Sequence, residues 1–494
     1  MRAALTAAMR AALAVVVATA LVLGLLIARS GTTRANPDAS LCAPPLPTTT
    51  QAAQTPPGRP PGWGARWFPA LDSARAGRSL ARVAIVGDSV GEGLYASDLT
   101  RTSWAAILTA TLQEDAGHGG SGFEGMQRSQ TFVEGFPRAA FEHYSGTAGN
   151  TWVQTGGWRT PQWPHGPAYG ALVGTESGST ATIPFTGTRL VLSYVDRGTA
   201  WTFSVDGGRE QRVTPGDSGG PAHVELTGLP PGSHALHVTA DDVDGPWLTG
   251  VEGSAQDGVL VDNYSIAGLE SGAWNNTDQW RSGELVGGRR APADLVIYEL
   301  GGNDALKAVR TVVAATVAGQ PAVTSGAWQG TDVGRLVTGP GIGPGTTVTA
   351  VDTETGTATL SAAPAATATG ELVVTNPDVS ARWQRNIQGY LEGLDRHPDG
   401  TLVPDLVFVW APASATPAIE ERYEQLKAAS RALATSLGAA YIDVQAETQQ
   451  PWSVWCGLGR AGNENDPTTS GTDGGHPSDA GHRVISDLVL SVVR

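Results

Sequence analysis

The stretch ARVAIVGDSVGEG, residues 81–93, decides how the rest of the chain is read. Its first seven residues form a short run rich in Val and Ile without clean alternation, the pattern of a parallel strand covered on both faces. The run breaks at Gly87 into Asp88 and Ser89. Ser89 is therefore expected at a strand-to-helix turn on the carboxyl edge of a sheet, where open α/β sheets hold their ligands.

Four further runs have the same character: GVLVDNYSI (258–266), ADLVIYELG (293–301), PDLVFVWAP (404–412) and AAYIDV (439–444). Helical patterns follow most of them. In VSARWQRNIQGYLEGLDRH (379–397), Val379, Trp383, Ile387, Tyr390, Leu391 and Leu394 recur at spacings of three and four, one buried helical face. IEERYEQLKAASRALATSL (419–437) and PSDAGHRVISDLVLSVV (477–493) read alike, the latter with Pro477 at a first-turn position. Strands alternating with helices predict a doubly wound, three-layer α/β domain.

Two stretches interrupt this pattern. Between 136 and 257, the segments TRLVLSYVD, AWTFSVDGG, HVELTGL and HALHVTADD are short, roughly alternating and separated by Gly, Pro and Asp turns, which predicts an all-β insert, a sandwich or jelly roll. A second small β insert is read at 310–376, again rich in Thr and Gly. The remaining pieces, 80–135, 258–309 and 377–494, together have the size of one discontinuous α/β domain.

Ahead of the first strand, residues 11–28 form an uncharged run preceded by Arg2 and Arg10 and closed by Arg29. The run is long for a signal-peptide core and just long enough to span a bilayer, and no small-residue cleavage site directly follows it. A cleaved signal and an N-terminal membrane anchor within residues 1–35 are equally compatible with it. Either one sends the remainder out of the cytoplasm, so the expected location is extracellular, secreted or membrane-anchored. Residues 36–79 read as a Pro/Thr-rich linker and lead-in, extended over 36–64. Cys42 and Cys456, the two cysteines, are too few and too far apart for a disulfide framework, although outside the cytoplasm they could pair. The net charge is −15, and every charge in residues 1–36 is basic, so the exported part is more acidic still. That balance argues against a nucleic-acid partner.

The chemistry gathers at the strand ends. The second run continues into DNYSIAGLES with Gly268, the third into ELGGNDAL with Asn303 and Asp304, and TDGGHPSDAGH before the last helix sets Asp473 three residues ahead of His476. A serine hydroxyl is a poor nucleophile until a base takes its proton; His476 fits that role for Ser89, with Asp473 fixing the imidazole tautomer. The backbone N–H groups of Ser89 and Gly268 and the side-chain amide of Asn303 fit an oxyanion hole. His482, in the same block, reads as a packing or capping residue of the last helix.

These four segments, GDSV, SIAG, GGND and DGGH, resemble in content and order the four blocks of the SGNH (GDSL) hydrolase family. Val90 stands where Leu is usual, and Ser265 where many members have Gly. The resemblance implies a flavodoxin-like three-layer fold, ester hydrolysis, and no metal or cofactor; it says little about either insert.

Two other serine motifs compete. GDSVG also fits the G-x-S-x-G elbow of α/β-hydrolases, which place several strands before the serine, whereas only a Pro-rich spacer precedes this one. TPGDSGGPAH (214–223) resembles the serine motif of chymotrypsin-like proteases and would make Ser218 the nucleophile, but His118, His143 and His165 upstream lack that family's context. Trp152, Trp158, Trp163, Trp201 and Trp247 lie in or beside the first insert, and exposed indoles stack on sugar rings while buried ones fill cores. The expectation is an exported serine esterase cleaving small acyl, O-acetyl, esters on a polysaccharide or glycan through Ser89. The alternatives are a lipase or simple-ester esterase, and a carbohydrate-binding surface protein with an inactive hydrolase domain.

Overall fold

The structure is a computed structural model that describes residues 58–125, 153–159, 171–272, 293–325, 327–328, 332–352, 355–376, 378–394, 403–411, 417–448 and 476–494. The five apolar runs are strands Leu80–Gly87, Gly258–Asn263, Leu295–Glu299, Asp405–Trp410 and Ala440–Asp443. All are parallel, and taken in chain order they lie 2-1-3-4-5 across the sheet. That is the flavodoxin-like order, whose switch point lies beside the first strand.

Both faces of this sheet are covered, which is why its strands read as unbroken apolar runs. On one face Val83, Ile85, Val261, Ile297 and Val409 pack with Trp67, Trp104, Leu108, Ile485 and Val489. On the other, Val86, Val296, Tyr298, Phe408 and Trp410 meet Trp383, Ile387, Tyr390 and Leu426. The helix over Val379–Glu392 buries Val379, Trp383, Ile387, Tyr390 and Leu391, the face its spacing predicts, and Asp378 caps it by accepting from the Ala381 N–H.

The last helix runs Asp479–Val493, with Ser478 as its N-cap accepting from the Gly481 N–H. Pro477 thus stands one residue ahead of the cap and not in the first turn. Serine wins the cap because its hydroxyl can satisfy an early N–H, which Pro cannot do.

The lead-in contributes more than a spacer. Helix Trp67–Arg75 begins on the carboxylate of Asp405, which accepts from the N–H groups of Gly64, Arg66 and Trp67 at 3.1, 2.9 and 2.7 Å. Negative charge suits a helix N-terminus. The fully buried Trp67 donates its indole N–H to the Val493 carbonyl, tying the start of this domain to its last helix.

Two antiparallel sheets form between the first two parallel strands. One pairs Pro221–Thr227, Arg189–Val195, Trp247–Ser254, Leu172–Gly174 and Trp158–Arg159, and strand Gly122–Gly125 also joins Trp247–Ser254. The other pairs Val153–Thr155, Thr180–Thr186, Ser233–Ala240, Trp201–Val205 and Gln211–Val213. Leu190, Leu192 and Leu248 of the first share one core with Ile183, Phe203 and Leu236 of the second. A six-stranded antiparallel sheet spans Val309–Val317 to Ala368–Thr375 around Val312, Val323, Trp328, Val337 and Leu372. Among the described residues no helix is long and apolar enough to cross a membrane; the run 11–28 lies outside them, as do Cys42 and Cys456.

Candidate active site

Strand Leu80–Gly87 ends at the switch point, and the chain turns at once into the short helix Ser89–Glu92. Asp88 caps that turn, its Oδ1 accepting from the Val90 N–H at 3.1 Å. Trp104 donates its indole N–H to the Val90 carbonyl at 2.9 Å, so the turn is held from both sides. Ser89 is left with 7 % of its surface exposed. Its Oγ lies 2.7 Å from Nε2 of His476, a residue 387 positions away in the chain.

His476 precedes the last helix, and two contacts fix that end of the site. Asp479 accepts from the N–H and hydroxyl of Ser97 at 2.7 and 2.5 Å, and the buried His482 places Nε2 3.2 Å from the Leu94 carbonyl. Between them Tyr95 stands at φ +67°, a conformation L side chains rarely adopt, with its ring centroid 5.2 Å from that of His476. Such strain is kept where surrounding bonds over-determine it. Burial pulls the His482 pKa down to about 4, so its imidazole is neutral and donates to Leu94.

The second strand carries the chain past Ser89. The Ile266 N–H donates to the Gly87 carbonyl at 3.2 Å and the Ala267 N–H to the Glu92 carboxylate at 2.5 Å. Gly268 follows at φ +80°, a position that favours glycine, and its carbonyl accepts from the Lys307 ammonium. Two residues past the end of the third strand comes Gly301, where φ is +142° and a Cβ would lie 2.5 Å from the Trp410 ring. Helix Gly302–Leu306 then brings Asn303 to the edge, its Nδ2 donating to Asp88 Oδ2 at 3.0 Å. Asp304 accepts from the Ser271 N–H and hydroxyl at 2.9 and 2.6 Å, and burial lifts its pKa to about 6.

Ser89, Asn303 and His476 are thus linked through Asp88 and the serine hydroxyl, and Gly268 is tied to the same edge through Glu92 and Lys307. Asp473 lies outside the described residues. Two participants were missed from the sequence. Asp88 was read only as part of the serine motif, yet it binds Asn303. Glu299, at the end of a buried apolar strand, is 4 % exposed and accepts from the Gly91 N–H at 2.9 Å and the Asp88 N–H at 3.4 Å. An ionisable residue in an otherwise apolar run was the available signal.

Ser218 is placed differently. Its exposed hydroxyl donates to Asp196 Oδ2 at 2.6 Å, in a turn where Asp196 also accepts from the Gly216 N–H. A carboxylate with those hydrogen bonds, which lower its pKa, is not a proton acceptor for catalysis near neutral pH. Of the five tryptophans near this module, Trp201 and Trp247 are buried and Trp158 packs half-buried against its core, while Trp152 and Trp163 lie outside the described residues.

Among solved structures, the chain is similar to a carbohydrate esterase family 2 enzyme plus carbohydrate-binding domain from Corynascus thermopiles (Myceliophthora fergusii), with 12% identity over 65% of this chain and 94% of that one, TM-score 0.24. It is similar also to a family two carbohydrate esterase from Clostridium thermocellum in complex with cellohexaose, with 11% identity over 69% and 97%, TM-score 0.23. An exo-β-1,3-galactanase from Phanerochaete chrysosporium matches at 20% identity over 21% of this chain, TM-score 0.18, and the chain spans only 27% of that enzyme. Likenesses at TM-scores this low decide nothing about fold or activity. No curated protein matches. The model of the GDSL-like lipase/acylhydrolase family matches residues 232–484, a span that holds Gly268, Asn303, Asp473 and His476 but begins beyond Ser89. A family pattern is collinear, and the two antiparallel sheets separate the serine turn from the rest of the site in the chain while the fold rejoins them. With the match covering just over half its length, the chain belongs to the GDSL-like lipase/acylhydrolase family.

Proposed function

We propose that this chain is an exported serine esterase that removes small acyl groups, O-acetyl foremost, from a polysaccharide or glycan through a Ser89 acyl-enzyme. The observation that carries the nucleophile assignment is the 2.7 Å approach of Ser89 Oγ to His476 Nε2 at the carboxyl edge of the sheet. Neutral His476 takes the Ser89 proton as Oγ attacks the ester carbonyl, and the carbonyl oxygen becomes an oxyanion. The N–H groups of Ser89 and Gly268 and the Asn303 amide stabilise that charge; Asn303 gives one N–H to Asp88 and keeps a second to offer. The tetrahedral intermediate collapses as His476 returns the proton to the leaving alcohol. Water, deprotonated by His476, then attacks the acyl-enzyme, and collapse of the second intermediate frees the carboxylic acid and Ser89. Asp473 supplies the acceptor for the other imidazole nitrogen.

The glycan part rests on export, read from residues 1–35, and on residues 136–257 as an inserted β-sandwich module. The buried Trp201 and Trp247 lend it nothing. Turnover of p-nitrophenyl acetate tests the chemistry: Ser89→Ala abolishes it if Ser89 is the nucleophile, and equal rates in both proteins overturn the assignment. Ser218→Ala leaves the rate unchanged. A panel of acetylated glycans and longer-chain esters tests the substrate; preference for long chains with no glycan deacetylation returns the lipase reading.

A further inference from the structure

Beneath the nucleophile turn lie two carboxyl groups that ester hydrolysis by Ser89 and His476 does not itself use. Asp88 is 3 % exposed and Glu299 4 %, and their side chains are within hydrogen-bond reach of each other. Each of two such groups in a buried site disfavours ionisation of the other, and a proton shared between them relieves that repulsion. Burial raises the Asp88 pKa as well, but Asp88 holds the better supply of partners for its charge: its oxygens accept from the Val90 N–H and Asn303 Nδ2, and the Lys307 ammonium favours the anion. Glu299 has two backbone N–H groups on Oε2, one of them at 3.4 Å, and the negative charge of Asp88 against it. Burial first, and then that charge, raise the Glu299 pKa well above the usual carboxylate range.

The packing around Glu299 is built for it. A Cβ on Gly87 would come within 2.7 Å of Ser265 Oγ and 2.9 Å of Glu299 Oε2, and one on Gly91 within 2.4 and 3.2 Å of the same two atoms, so both glycines of GDSVG leave room for Ser265 and Glu299 together. The second glycine therefore has a structural reason distinct from the elbow geometry of α/β-hydrolases.

We propose that Glu299 is a neutral, proton-donating positioning residue: its carboxylic acid hydrogen-bonds the Asp88 carboxylate and thereby holds both the Ser89 turn and the Asn303 amide in place for the oxyanion. A neutral acid also suits the charge change of the reaction, because a second anion under the turn would oppose an oxyanion forming above it. The inference rests on Ser89 as nucleophile.

Glu299→Gln and Glu299→Ala separate a neutral donor from a needed charge, since glutamine accepts the two backbone N–H groups through its oxygen and donates to Asp88 through its nitrogen. With p-nitrophenyl acetate, E299Q keeps kcat within about threefold of the parent. In E299A kcat falls by about 10- to 100-fold at nearly unchanged KM, short of or comparable to losing one oxyanion donor outright. Equal loss in both variants, or parental kcat in E299A, overturns the proposal. Should E299A fail to fold, E299Q decides alone: activity supports the proposal, and a folded but inactive or an unfolded E299Q overturns it. Ser89→Ala is measured alongside. Retained turnover there overturns the nucleophile assignment and this inference with it, whereas lost turnover there with equal losses in E299Q and E299A overturns this inference alone.

Discussion

His482 lets one proton be followed through the stability of the catalytic domain. It is fully buried in the last helix, and its pKa falls from an ordinary value of 6.5 to about 4 because burial penalises the imidazolium. The unfolded chain therefore binds more protons between those two values, and stability is complete above pH 6.5 and lost as pH falls toward 4. With these values the loss is about 2 kcal/mol at pH 5 and approaches about 3 kcal/mol below pH 4, at 1.36 kcal/mol for each pKa unit. Other groups titrate in the same range, so the comparison is with His482→Gln, whose amide can donate to the Leu94 carbonyl as Nε2 does but does not titrate. Urea unfolding of both proteins from pH 7.5 to 4.5 gives the difference, in which the shared contributions cancel. The gap should shift in favour of the variant by about 2 kcal/mol between pH 7.5 and 5. A gap constant with pH refutes a neutral, buried His482.

Arg82 is 7 % exposed and binds Glu252 and Asp262 at 3.2 and 3.1 Å, so Arg82→Met leaves two buried carboxylates with one cation fewer and should cost about 3–5 kcal/mol in urea unfolding; a loss under about 1 kcal/mol contradicts that account. Gly301→Ala forces a Cβ against Trp410 at a φ of +142° just ahead of Asn303, and kcat should fall about 100-fold with KM little changed, as for loss of an oxyanion donor; parental kcat would show that Asn303 does not depend on this turn. For His234, burial lowers the pKa, but hydrogen bonds to Asp206 at 2.6 Å and to the Pro230 carbonyl at 2.8 Å outweigh it and leave the pKa raised. Its contribution to stability is therefore present below pH 6.5 and lost as pH rises through the folded-state pKa, a slope that His234→Gln should remove from thermal unfolding curves.

What the sequence discloses depends on whether the deciding residues are neighbours in the chain. The five parallel strands could be read because burial on both faces writes itself into contiguous Val and Ile runs, and Ser89, Asn303 and His476 because each stands at the end of such a run or ahead of a helix. Helix Trp67–Arg75 was hidden inside a Pro-rich lead-in; what secures it is the carboxylate of Asp405, more than three hundred residues on. The pairing of Asp88 with Asn303 and Glu299 was equally out of reach, since it needs the register between the first and third strands, in which Gly87 lies opposite Glu299. Nor could the tryptophans be sorted into core and surface before the sheets that bury Trp201 and Trp247 were known.

The same register explains how so large an interruption leaves the catalytic sheet intact. Strand Gly258–Asn263 is the outer strand of that sheet, with one edge open to pairing. An unpaired edge is a liability that a fold must cover. Residues 118–123 run along it: His118 bridges Val259 in parallel, the Gly119 N–H donates to the Val259 carbonyl, and the Phe123 N–H reaches Asp262 Oδ1. A Cβ on Gly119 or Gly122 would lie 2.4 or 2.0 Å from the Val259–Val261 backbone, so glycine is what permits the approach. From Gly122 onward the chain is already pairing with Trp247–Ser254 of the antiparallel module. Arg82 of the first parallel strand reaches Glu252 of that module and Asp262 of the edge strand together. The module is therefore joined to the side of the catalytic sheet through backbone hydrogen bonds and a buried ion network. The turn carrying Ser89 and the loop carrying Gly268 are set by strands on the near side of that joint, which is why this edge of the sheet can be assembled from segments that the module separates in sequence.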